Sequence, residues 1–495
     1  MIDLNPMRGE FVGGGIPRTA GGHPYNPLAG GYTFDDDCYW ESCTELREIR
    51  DFAVWHMVSP YAVLACVLAR IVAATPPHIV LPALVGASYG SLNFGVVLLG
   101  GPSSGKDTAY TTAEHLVPDV RGAYEGAPAT GQAVSAIFAV RPASGAGSVS
   151  VRTESGSDGD GYRTEFVNGR AILRYTEIST LQALMGRKES TLRSTLLDVF
   201  SGHRIGETTK DRSLSVVIPD HGYRGIPVIS AQPSSIDVFT NGYGVGLQQR
   251  FLYVSALSDR IANLRVDFRD TTPEPDTTMF PYDQGILPAD LPAEIMGKVY
   301  SEGGYGKLAL EGMEGARYEL KPMTFPKIVE EHVIFDRIRT NSMDSPASPT
   351  AHSTYMRMKL AAAMHLLRLG SGGDPLVVSE EDWELAGVLA DDSAKTFEDA
   401  RKQSDIMRSE RMAERMKLTD DASDVAETQR AKKVEDRIMS LLENAPSHEL
   451  SRRSLHNSIS KRQREVLSPA LENLMRSGRV RASSKGAGGE WYKLI

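Results

Sequence analysis

The sequence predicts an α/β core flanked by helical regions, with a small basic module at its C-terminal end. Three observations lead there. Four continuous apolar runs, 94–99 (FGVVLL), 171–175 (AILRY), 225–231 (GIPVISA) and 251–256 (FLYVSA), alternate with helical stretches. Unbroken apolar runs mark strands buried on both faces of a parallel sheet, and their alternation with helices marks a doubly wound domain. A glycine-rich turn, GGPSSGKDT, follows the first run directly. Charge is also unevenly spread: the net charge is −9, yet 431–495 holds 13 Lys and Arg against 7 Asp and Glu. A basic tail on an acidic body predicts a local contact with a polyanion.

Composition sets the limits. The 495 residues correspond to about three domains at ~150 residues each. An apolar share of 41% with 24% charged residues excludes a wholly disordered or fibrous chain. Cys38, Cys43 and Cys66 are odd in number and lack the paired spacing of a zinc site, which predicts reduced thiols in a cytoplasmic protein. The first residues, with Asp3, Glu10 and several glycines, do not read as a signal peptide. The most apolar stretch, 57–101, is interrupted by Arg70, Pro76, Pro77 and Pro82. It therefore falls short of the ~20 residues a membrane-spanning helix needs, and no membrane contact is expected.

Taken in order, 1–36 is glycine-rich without periodicity and reads as a flexible arm. Residues 37–93 form a helical region, with Leu46, Ile49, Phe52 and Ala53, then Ala62, Leu64, Val67, Leu68 and Ile71, at helical spacing. Pro60 opens the second helix at its first position, and Pro76-Pro77 closes it. Residues 94–265 form the α/β core, with helices running to about Leu116 and over roughly 191–200. Within it, 143–162 is rich in Gly and Ser and reads as a surface loop or hairpin. Residues 266–330 hold many prolines and read as an irregular linker. Residues 331–430 are helical, with one apolar face over 356–369 and a highly charged connecting helix over 397–433.

The last segment, 431–495, reads as a helix at 434–445, a short helix at 450–458 and a third at 460–477. Pro469 kinks or restarts the third, and Gly478 closes it. A strand, a glycine-rich tip and a second strand follow. This order resembles a winged helix, a relative of the helix-turn-helix modules whose recognition helix enters the DNA major groove. Lys461, Arg462 and Arg464 would meet base edges and phosphates, and Arg479, Arg481 and Lys485 would line the wing. The same module also serves elsewhere as a protein-binding unit, so that reading stays open.

Gly100, Gly101, Pro102, Ser103, Ser104, Gly105 and Lys106 fit G-x-x-x-x-G-K between a strand and a helix. Glycines let backbone N–H groups wrap a phosphate, and the following helix turns its positive end toward the anion. Lys106 would reach the β- and γ-phosphates of ATP. The hydroxyl that ordinarily ligates Mg²⁺ is replaced by Asp107, a carboxylate that either binds the metal or repels the phosphates; Thr108 supplies a hydroxyl one residue on. Glu177, just after the second apolar run, is the candidate to orient water or hold Mg²⁺. It departs from an Asp-Glu pair, since Thr176 precedes it, and it could instead cap the next helix. Gln232 ends the third run as a candidate γ-phosphate sensor, or as a plain strand terminus. Arg250 precedes the fourth run and is a candidate arginine finger, in its own subunit or across an interface, or a structural ion pair. Arg204, Lys210 and Arg212 lie in 201–213 (SGHRIGETTKDRS), either a DNA-facing loop or an ordinary hairpin.

SPYAVLACVLARIVAATPPHIVLP, SLNFGVVLLGGPSSGKDTA, LLDVFSGHRIGETTKDRS and GLQQRFLYVSA are similar to a group of helicase-like P-loop ATPases of actinobacterial phages, prophages and plasmids, often associated with a primase–polymerase. The resemblance covers roughly 39–265, with weaker similarity over 350–395. It implies a RecA-like or related ring ATPase, such as a hexamer, that uses ATP and Mg²⁺, acts on DNA in replication of a mobile element, and works beside a primase or other replication proteins. It implies that Lys106 is the phosphate-loop lysine, Glu177 the acidic strand end, Gln232 the sensor and Arg250 the finger. Asp107 and Thr176 depart from the pattern. No primase segment is expected, 1–36 being too short for one. Two other readings remain open: a degenerate nucleotide-binding switch that binds DNA, and a P-loop nucleotide kinase.

Overall fold

The computed structural model describes residues 37–84, 86–140, 164–207, 216–239, 246–276, 287–302, 320–340, 353–371, 373–485 and 489–495. They fall into two compact units, Met1–Ser404 and Asp405–Ile495.

In the first unit, α1 (Thr44–Trp55) and α2 (Pro60–Ala74) are the two helices read from the sequence, with Pro60 at the first position of α2 as expected. β1 (Gly95–Leu99) leads through the glycine-rich turn into α3 (Lys106–Leu116). β2 (Tyr124–Gly126), β3 (Arg170–Tyr175), α4 (Ile178–Met185), α5 (Leu192–Ser201), β4 (Arg224–Ala231) and β5 (Phe251–Ser255) follow. The five strands form one parallel sheet in the order β5-β1-β4-β3-β2.

Successive strand residues point to opposite faces, and here they feed two cores. Val96, Leu98, Ile172, Ile226, Val228, Leu252 and Val254 join the core built by α1, α2, α3 and α6 (Ser353–Leu367). Val97, Leu99, Leu173, Tyr175, Ile229 and Tyr253 join a second core with α4, α5 and the helices Gly131–Phe138 and Ala293–Glu302. The result is three layers, helices on both faces of a parallel sheet. β5 is an edge strand. The backbone N–H of Tyr253 donates to Ser393 Oγ at 2.8 Å, so α7 (Glu380–Glu443) covers an exposed ladder donor.

Two arginines buried in this unit are hydrogen-bonded. Arg70 sits within the apolar α2, where its guanidinium donates to the Val117 carbonyl at 2.7 Å and to Glu125 at 3.0 Å. Arg224 opens β4 fully buried and donates to the carbonyls of Pro76 (2.6 Å) and Ile79 (2.9 Å). His78 and His221 lie buried near it; burial, then neighbouring cations, lowers both pKa values to about 4. A histidine held neutral in the fold takes up its proton on unfolding. The unfolded chain therefore binds more protons between about pH 6.5 and 4, and stability falls as pH drops through that window. The urea midpoint is expected to drop between pH 7 and pH 4.5, by the equivalent of about 3 kcal/mol per histidine at most. A constant midpoint would contradict this.

The stretch 266–330 is not uniformly irregular. It contains the helix Ala293–Glu302, which sends Met296, Val299 and Tyr300 into the second core, and Lys321–Pro322 pairs in parallel with Ile79–Val80. Pro292 starts that helix, its carbonyl accepting from the Ile295 and Met296 N–H groups. The segment 143–162 lies outside the described residues, as does the arm 1–36. All three cysteines are free thiols. Among the described residues no helix is long and apolar enough to cross a membrane.

In the second unit, the end of α7 packs with α8 (Arg452–Ser458) and α9 (Leu467–Arg476) over Val434, Ile438, Leu442, Leu455, Leu471 and Leu474. Three antiparallel strands, Glu449–Ser451, Gly489–Leu494 and Val480–Lys485, lie side by side in that order. The predicted third helix is divided. Lys461–Val466 is a separate 3-10 turn, capped where Gln463 Oε1 accepts the Ser460 N–H at 3.1 Å. Pro469 falls in the first turn of α9, where its missing N–H has no intrahelical role, so it starts the helix and does not kink it. Gly478 closes α9 with φ 72°, and the Arg479 N–H donates back to the Leu474 carbonyl at 3.0 Å, a left-handed cap.

Candidate phosphate-binding site

The loop between β1 and α3 stands at the carboxyl edge of the parallel sheet, the edge where open α/β sheets bind ligands. Its first residue is tied to the next strand, since the Gly100 N–H donates to the Ala231 carbonyl at 3.0 Å. A Cβ on Gly100 would stand 2.2 Å from Ser104 Oγ, and Gly105 adopts φ +85°, so both need glycine. Ser103 is also left-handed, at φ 61°, a conformation that costs a non-glycine residue roughly 1–2 kcal/mol and that gathers at functional sites. Chain neighbours aside, no atom of the described residues lies within 4 Å of where a Cβ on Gly101 or Gly105 would be. Pro102 and Ser103 are exposed. Lys106 folds back over the turn, its ammonium donating to the carbonyls of Gly100 (2.8 Å) and Gly101 (2.6 Å).

Asp107 and Thr108 open the first turn of α3 toward solvent. Gln232 directly follows Ala231, the residue that accepts from Gly100, and is half-buried beside the turn. Glu177 follows the end of β3. It occupies the N-cap position of α4, but its side chain makes no capping hydrogen bond, and it is exposed. The strand bearing it reaches the loop through Arg174, whose guanidinium approaches Asp107 Oδ1 at 3.4 Å and stacks 4.0 Å over the Tyr110 ring. Lys106, Asp107, Thr108, Gln232 and Glu177 thus share one edge of the sheet. Arg174 was missed in the sequence because it sits inside an apolar run. The available signal was an arginine in a buried strand of a chain whose glycine-rich turn is followed by an acid.

The chain matches no protein-family model and no curated protein sequence.

Arg250 does not join this site. It immediately precedes β5, and Phe251 pairs with Gly95 at the start of β1. The loop lies at the other end of β1, roughly 16 Å away along the strand. A role for Arg250 at its own subunit's loop is therefore excluded by reach. Its guanidinium is half-buried, donates to the Gly246 carbonyl of the preceding turn, and has its pKa lowered by burial.

The expected nucleic-acid contacts divide. Arg204 is exposed, with its backbone N–H donating to Asp220 Oδ1 at 2.7 Å; Lys210 and Arg212 lie outside the described residues. In the second unit, Lys461, Arg462 and Arg464 stand on the 3-10 turn, not at the start of α9. Arg464 donates to the His456 carbonyl at 3.1 Å. Arg479 and Arg481 are exposed. Lys485 is engaged by Glu449 and lies 5.4 Å over Trp491, so its charge is partly neutralised.

Proposed function

We propose that this chain is an ATP-hydrolysing, helicase-like motor or loader that acts on DNA, assembled as a ring of copies, in the replication of a mobile element. One observation carries the reading: a G-x-x-x-x-G-K turn at the carboxyl edge of a parallel sheet, with Gln232 and Glu177 at the ends of flanking strands. One strand, β4, separates the strand that bears the loop from the strand that ends in Glu177.

In this reading the loop amides and Lys106 bind the β- and γ-phosphates. Mg²⁺ usually takes one or two carboxylates together with substrate phosphates and water, a role that Thr108 and Glu177 fit, with Asp107 engaged by Arg174; it would neutralise charge that develops on the phosphates. Glu177 orients the attacking water, Gln232 senses the γ-phosphate, and Arg250 acts on a neighbouring copy's site. The second unit reads as a winged helix with α9 as its recognition helix, and Arg479 and Arg481 are its free-standing basic contacts. A second reading, a slow nucleotide switch that binds DNA, is favoured by Asp107 and by the single acid after Thr176.

ATP hydrolysis measured with and without single-stranded DNA tests the proposal. The wild type is expected to be stimulated by DNA, and Lys106→Ala to lose about 10²-fold or more in rate, on the scale of other transition-state charge contacts. Equal rates for the two proteins would refute the motor. Tight ATP binding with negligible turnover would favour the switch.

A further inference from the structure

Asp107 stands where this type of loop ordinarily carries a hydroxyl, one residue after the lysine that binds phosphate. A carboxylate there faces the same space as a triphosphate, and like charges at close range oppose binding. Arg174 approaches that carboxylate from β3 at 3.4 Å. Its guanidinium is held from behind by the Tyr110 ring at 4.0 Å, and the Tyr110 hydroxyl is itself fixed by Glu125 at 2.7 Å and by Arg70 at 3.3 Å. Arg174 is only 26% exposed although Asp107 is 66% exposed, so the cation is the pre-positioned partner. The planar guanidinium of arginine stacks on an aromatic face better than the ammonium of lysine.

We propose that Arg174 is a positioning residue that neutralises Asp107 and so allows this acid-bearing loop to admit the triphosphate of ATP. The pair deepens the nucleotide-site reading above and rests on it. Arg174 also lies three residues before Glu177, so the compensating charge is delivered by the strand that brings the catalytic acid. Asp107 and Arg174 therefore behave as a matched exchange: the arginine matters because the acid is present.

Titration of the full-length protein with a fluorescent ATP analogue and Mg²⁺ tests this in four proteins: wild type, Arg174→Met, Asp107→Ser and the double variant, with Lys106→Ala as control. Arg174→Met is expected to weaken binding about tenfold or more, as for loss of a charge partner. In the Asp107→Ser background the same change should cost less than about threefold. Equal losses in both backgrounds would overturn the proposal, since Arg174 would then act on the nucleotide itself or on packing against Tyr110. No loss from Arg174→Met would overturn it too. A wild type that binds no better than Lys106→Ala refutes the nucleotide site, and the pair with it; that outcome is distinct because it appears before any Arg174 variant is compared.

Discussion

Arg250→Ala is expected to reduce ATP hydrolysis about 10³-fold or more, the scale of an arginine finger, while leaving ATP affinity within about threefold. The separation follows from reach: Arg250 stands at the amino edge of the sheet and Lys106 at the carboxyl edge. Their defects should therefore complement. An Arg250→Ala copy keeps an intact loop, and a Lys106→Ala copy keeps an intact arginine. In a head-to-tail ring, each Arg250→Ala loop that faces a Lys106→Ala neighbour becomes a complete site. An equal mixture of the two inactive proteins should recover up to roughly a quarter of wild-type activity. Before it can act on a neighbour, Arg250 must release the Gly246 carbonyl, so its contribution should appear in turnover and not in nucleotide affinity. A mixture as inactive as its parts would remove Arg250 from the mechanism.

The second large effect concerns stability. Arg224→Met should lower the stability of the first unit by about 1–3 kcal/mol, the cost of leaving buried acceptors without their donor. Arg224 is 1% exposed, and besides Pro76 and Ile79 it approaches the Thr75 carbonyl, Ser91 Oγ and Asn93 Oδ1, each at 3.4 Å. Methionine fills similar volume but donates nothing, so these buried oxygens lose their donor. The substitution therefore frees the end of α2 and the approach to β1 from β4, the scaffold on which the glycine-rich turn stands. Urea unfolding followed by circular dichroism measures the shift. A change below about 1 kcal/mol would mean that water or local rearrangement replaces the guanidinium.

Much of the central layer was legible from residues 94–256. FGVVLL, AILRY, GIPVISA and FLYVSA all became strands because each is buried on both faces and so has no polar alternation to hide it. β2 was not legible: Tyr124 and Glu125 are exposed on a three-residue edge strand with no apolar run. The strand order was also out of reach, since it depends on crossovers that local pattern does not encode. Pro288 and Pro292 disguised the helix Ala293–Glu302, although Met296, Val299 and Tyr300 hold helical spacing. At the site, the loop glycines and Lys106 carried their own signal. The position of Arg250 did not, because which edge of a sheet a residue occupies follows from strand direction, and Arg174 was hidden by the apolar strand around it.

In the proposed mechanism the turn from Gly100 to Lys106 binds a nucleoside triphosphate. Calorimetric titration of the full chain with ATP and Mg²⁺ measures this most directly. One saturable site per chain is predicted for the wild type, weakened at least about 100-fold, or some 2.7 kcal/mol, by Lys106→Ala. Identical binding curves for the two proteins, or no saturable binding by the wild type, would contradict it.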